Sequence, residues 1–223
     1  MPSAVAPAGR PVRKNGPLKT AYLVAYNLAS LVAWMTVLGR VLVILGLRGP
    51  AFVYATAGEW TKWTQTLALM EVVHALMDLG VVRASPITTL MQVSSRILLV
   101  WGVVDLYPFL ARNLPYSTML LAWSATEVIR YGYFVLSLLG SEPAFVVWLR
   151  YSTFYVLYPI GILSECSMIK DAITPARMFG PVPPAVYYAI LAIYVPGSYI
   201  LYTHMMSQRK KVLARLAQHS KSE

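Results

Sequence analysis

Residues 21 to 47 read AYLVAYNLASLVAWMTVLGRVLVILGL, an unbroken apolar run with one charge, Arg40. A helix of about 20 apolar residues matches the hydrocarbon core of a bilayer, so this stretch predicts a membrane span. The rest of the chain follows the same pattern. Hydrophobic residues make up 57% of the 223 residues and charged residues 13%, and the mean hydropathy is +0.57. That charge share is about half of what a soluble surface carries. A soluble fold and intrinsic disorder are therefore excluded, and Cys166, the single cysteine, excludes a disulfide scaffold.

Candidate spans fall at 21–47, 60–82, 86–107, 116–139, 145–168 and 184–206, separated by Arg48-Gly49-Pro50, Ser85-Pro86, Pro108, Asn113-Leu114-Pro115, Gly140 to Pro143 and Gly180 to Pro184. The expected fold is all-α: a polytopic bundle of six transmembrane helices over 21–206, with basic tails at 1–20 and 207–223. Six spans put both tails on one side. That side holds ten Lys/Arg, including Arg83, against five on the other, which predicts cytosolic tails. The net charge of +10 thus reads as membrane-facing tails and not as a nucleic-acid surface. The N-terminal segment lacks the apolar core of a cleavable signal, and no internal repeat points to a transporter of inverted halves.

Ionisable residues at membrane depth mark an interior network. Glu71, His74 and Asp78 share one helical face. Glu-x-x-His is half of a di-iron motif, but with three histidines in the chain the reading is a hydrogen-bonded cluster without a metal. Gln92 and Arg96 share a face suited to clamping a neighbouring helix, and Glu127 and Arg130 suit an ion pair within one helix. Tyr151, Tyr158 and Glu165 recur every seven residues, with Pro159 and Gly161 expected to distort the helix between the last two. Spacing alone leaves open whether a phenol and a carboxyl here form an acid–base pair or a packing seam. No G-x-G-x-x-G, Walker A loop or Cys-x5-Arg is present, so a reaction without a cofactor fits best.

The stretch Leu149 to Glu165, LRYSTFYVLYPIGILSE, resembles the signature of the very-long-chain (3R)-3-hydroxyacyl-CoA dehydratases, the PTPLA or PASTICCINO family of fatty-acid elongation. Leu69 to His74, Gln92 to Arg96, Trp123 to Tyr131 and Ala192 to Ser198 agree in order, and the plant branch resembles the chain most. The resemblance implies a hydro-lyase with six spans in the endoplasmic reticulum, cytosolic termini, no cofactor beyond the CoA of its long-chain 3-hydroxyacyl-CoA substrate, and other elongase components as partners. It matches Tyr158 and Glu165 to the catalytic pair, and Arg150, Gly161, Glu71, Gln92 and Arg96 to supporting positions. The ending His219 to Glu223 lacks the dilysine retrieval signal of some members.

The implied reaction needs a base at C2 and an acid for the C3 hydroxyl, roles assigned to Tyr158 and Glu165 in that order, with Arg150 as a cation near the phenol and the opposite order, Glu165 as base, as the alternative. Seven residues of straight helix separate them by roughly 10 Å, so either the helix is distorted or a water relays the carboxyl. Arg83 and the tail lysines are expected to meet the CoA phosphates. A non-catalytic elongase scaffold and a proton-coupled transporter are the rival readings.

Overall fold

The computed structural model describes residues 16–77 and 86–219. Asp78, Arg83 and the outer parts of both expected tails lie outside the described residues. Every long element is helical: α1 (Pro17–Leu47), α2 (Val53–Leu67), α3 (Leu69–Leu76), α4 (Pro86–Ile97), a π-helical turn (Leu98–Val104), α5 (Leu114–Leu138), α6 (Ala144–Ser152), α7 (Phe154–Ala176) and α8 (Val182–His219). Pro17 opens α1 with the φ that a first turn requires and no N–H to leave unpaired. Gly140 closes α5 at φ 79°: the Ser141 amide reaches Leu136 O and the Gly140 amide reaches Ser137 O, a Schellman stop that frees the chain to reverse.

Cross-contacts set the helices antiparallel. Tyr22 near the start of α1 meets His74 near the end of α3, whereas Arg40 late in α1 reaches Thr56 O early in α2. Tyr133 late in α5 meets Tyr151 in α6, and Ser152 meets Arg209 late in α8. The start of α1 and the finish of α8 therefore share one end of the bundle, called here the tail end. α5 lies at the centre, flanked by α1 and α7, and its Tyr116, Met119, Leu120 and Trp123 are buried.

Pro17–Leu47, Ala144–Phe179 and Val182–Ala214 are each long and apolar enough to cross a membrane. The other rods are interrupted or carry Glu71, Arg96, Glu127 and Arg130. Leu163, Ile193 and Val195 point outward, 62 to 73% exposed. Water would penalise so large an apolar exterior, whereas lipid matches it.

Several helix boundaries differ from expectation, and the second rod starts at Val53, ahead of 60, and breaks at Ala68. α8 does not stop near 206 but runs to His219, because Ser207 to Gln218 contains neither Gly nor Pro. α7 continues past 168 to Ala176. The interruption in the fifth rod falls at Thr153, and Pro159 to Glu165 is continuous helix. Thr153 O instead takes the amides of both Val156 and Leu157, so the tightened turn lies upstream of the proline.

Candidate active site

α7 presents Tyr158 and Glu165 toward the same neighbour. Tyr158 Oη donates to Ser198 O on α8 at 3.2 Å, and its ring lies 5.9 Å from that of Tyr202. Glu165, 8% exposed, accepts from Tyr194 Oη on α8 at 2.9 Å and from Trp123 Nε1 on α5 at 2.8 Å. Tyr194, Ser198 and Tyr202 follow at four-residue steps, so one stripe of α8 backs both groups. The distortion expected between them is absent, and their helical separation stays at roughly 10 Å.

From Glu165 a polar chain runs through the bundle toward the tail end. Arg96 of α4 lies over the Trp123 ring at 5.2 Å and pairs with Glu127 of α5. Glu127 also pairs with Arg130 one turn on, at 2.5 Å. Arg130 in turn grips Glu71 of α3 through Nη1 and Nη2, at 2.9 and 2.7 Å. Tyr131 donates a further hydrogen bond to the Glu71 carboxylate. Glu127 and Arg130 thus form the expected ion pair within one helix, but each also ties α5 to another helix. Arg96 clamps α4 to α5 as its spacing predicts.

Gln92 is not brought to this network; its side chain is exposed on α4. Arg150 lies against the rings of Tyr133, Phe134 and Tyr151, at 4.7, 4.5 and 5.6 Å, and these, not Tyr158, are its aromatic contacts. Gly161 is buried where α7 crosses α5: an added Cβ would stand 3.7 Å from Ala122 Cβ and 3.8 Å from Glu165 Oε1. His74 bonds Tyr22 Oη at 2.8 Å and meets the edge of Tyr26, so it faces α1 whereas Glu71 faces α5. Among the described residues no group of three or more His, Cys, Asp or Glu could hold a metal.

Sequence reasoning did not assign Trp123 and Tyr194 to the site. Both stand in stretches that carry the family resemblance, but only the packing reveals that each aims its polar atom at Glu165. An open cavity of about 500 Å³, lined by Arg177, Gly180, Pro181, Pro184, Ala185 and Tyr188, sits at the α7–α8 turn, and no expected site residue lines it.

Residues 65–215 match the family model described as protein tyrosine phosphatase-like protein, PTPLA. A fission-yeast protein named probable very-long-chain (3R)-3-hydroxyacyl-CoA dehydratase is 42% identical over 90% of this chain and 96% of its own. The rice dehydratase PASTICCINO 2A is 36% identical over 89% and 95%, and human dehydratase 2 is 34% identical over 93% and 86%. The fission-yeast protein is thus more similar than the plant one, which corrects the expected leaning toward the plant branch. No solved structure gives a significant match.

Proposed function

This chain belongs to the PTPLA family, and on that premise we propose that it removes water from a very-long-chain (3R)-3-hydroxyacyl-CoA to give the trans-2-enoyl-CoA. The observation that carries the site assignment is the shared orientation of Tyr158 and Glu165 against one stripe of α8. The reaction breaks a C2–H bond and a C3–O bond. Tyr158 enters the step as the phenolate and takes the C2 proton. Glu165 enters as the protonated carboxyl and supplies the proton with which the C3 hydroxyl leaves as water, and a proton passed from Tyr158 back to Glu165 restores both groups. The substrate's C2–C3 segment lies along the α7–α8 seam. Since the helix between the two groups is unbroken, a water carries the proton across the gap to the hydroxyl.

Trp123 and Tyr194 hold the two carboxyl oxygens of Glu165 in fixed directions, and the chain from Arg96 to Glu71 holds Trp123. Such prepaid orientation is what a proton transfer in a water-poor site requires. No cofactor beyond the substrate's own CoA enters. We further place the enzyme in the endoplasmic reticulum membrane as six spans with cytosolic termini, beside the other components of fatty-acid elongation. The antiparallel helix order and the basic residues at the tail end support this arrangement.

The test is the purified protein in detergent with a long-chain 3-hydroxyacyl-CoA, assayed by mass spectrometry for loss of water, beside Tyr158→Phe and Glu165→Gln. Turnover by the parent, with a loss of at least about a hundredfold in each folded variant, supports the reaction and the pair. No turnover by a folded parent in lipid, across several chain lengths, rejects the reaction in favour of an elongase scaffold.

A further inference from the structure

Arg150 is an unbalanced cation inside the bundle. Its Nε is fully buried without a hydrogen-bond partner, and among the described residues no carboxylate pairs with it. Glu142 at the same end is bonded instead to Ser137 Oγ at 2.5 Å and Tyr133 Oη at 3.3 Å. Arg130, late in α5, is by contrast fully matched by Glu71 and Glu127. The contrast is informative, because a guanidinium taken out of water without a counter-charge is costly. Three aromatic rings around it offset part of that cost and hold the fork in place. They add no negative charge.

The position suits one anion. Arg150 stands six residues into α6, roughly 9 Å below the tail-end start of that helix, and eight residues before Tyr158, roughly 12 Å along the rod. It therefore lies between the membrane surface and the reacting groups. On the adjacent face Arg209 of α8 bonds Ser152 Oγ at 3.1 Å, lies over the Tyr155 ring, and likewise has no carboxylate pair among the described residues. Resting on the dehydratase reading, we propose that Arg150 binds the phosphate-bearing head of acyl-CoA, with the pantetheine arm running from it down α7 to Tyr158. A planar fork matches two phosphate oxygens at once, and an extended pantetheine arm is long enough for the descent.

The test compares one 3-hydroxyacyl group carried on CoA and on pantetheine, which lacks the nucleotide phosphates, with the parent, Arg150→Gln, Arg150→Lys and Glu165→Gln. The parent is expected to prefer the CoA thioester in kcat/KM. Arg150→Gln should lose about tenfold or more of that preference, chiefly through KM, and Arg150→Lys should recover part of it. A purely structural Arg150 would lower both substrates alike and keep the ratio, which overturns the proposal. Binding of free CoA to protein in neutral and in phosphatidate-containing nanodiscs gives a readout independent of turnover. Weaker CoA binding by Arg150→Gln supports the site; equal CoA binding with loss of phosphatidate binding assigns Arg150 to a lipid headgroup and overturns it. Should Arg150→Gln fail to fold, Arg150→Lys carries the same comparisons. If Glu165→Gln turns over as fast as the parent, the catalytic assignment fails while the CoA measurements still decide Arg150.

Discussion

Trp123 Nε1 stands 2.8 Å from Glu165 Oε1, and the same indole carries the Arg96 guanidinium on its face at 5.2 Å. One side chain thus couples the carboxyl of α7 to the ion-pair chain of α3, α4 and α5. A disturbance at Glu71 or Arg130 has a physical route to Glu165, through groups in direct contact.

Tyr194→Phe removes one of the two donors to Glu165 and leaves the ring that packs beside it. A fall in kcat of about ten- to a hundredfold, with KM within about twofold, is expected in steady-state assays with 3-hydroxyacyl-CoA. An equal rise in KM would mean that the phenol binds substrate instead of orienting the carboxyl.

Arg130→Met leaves Glu71 and Glu127 without their shared partner. Breaking a buried pair from one side costs about 3–5 kcal/mol, so thermal unfolding in detergent should shift sharply downward. Glu71→Gln with Arg130→Met should cost less than the two single changes added together, because they remove one interaction. Full additivity in that double-mutant cycle would refute the coupling.

Gly161 has space for a methyl group and no more. Gly161→Ala is expected to fold with equal or higher stability, since alanine gains roughly 0.5–1 kcal/mol over glycine inside a helix. Gly161→Leu, by contrast, must displace Ala122 or Glu165. Its kcat should drop by at least about tenfold while far-ultraviolet circular dichroism still reports a helical protein.

Lys62 forms a separate cluster, paired with Asp105 at 2.7 Å and Glu59 at 2.9 Å and lying over Trp101 at 4.8 Å. It touches none of the proposed site residues. Lys62→Met should therefore lower stability by about 1–3 kcal/mol while kcat/KM stays within about twofold, as read by thermal melts and steady-state kinetics on one preparation.

The helical rods were legible in the sequence because apolar runs and Gly/Pro punctuation are local signals. Ala21 to Leu47 reads as a span and forms one helix, and Gly140 marks a turn and makes one. The i,i+3 pair Glu127–Arg130 was legible for the same reason. What depends on neighbouring helices was not. Periodicity places Glu165 on a face of α7 but cannot say that Trp123 and Tyr194 wait there. Gln92 shares a face with Arg96 in spacing, yet Arg96 turns inward whereas Gln92, one turn nearer the tail end, stays exposed. Pro159 misled as to the place of the break: the helix runs on through it, and the tightened turn lies upstream at Thr153.

α8 backs Tyr158 through Ser198 and Glu165 through Tyr194. A single residue inserted upstream of Tyr194 would rotate that whole stripe by about 100° and unseat both groups together. Substitutions on the outward side, at Ile193, Val195 or Tyr199, leave the stripe where it is. Over evolutionary time this helix can drift freely in its lipid-facing letters, yet its length upstream of the stripe is as constrained as the two side chains it serves.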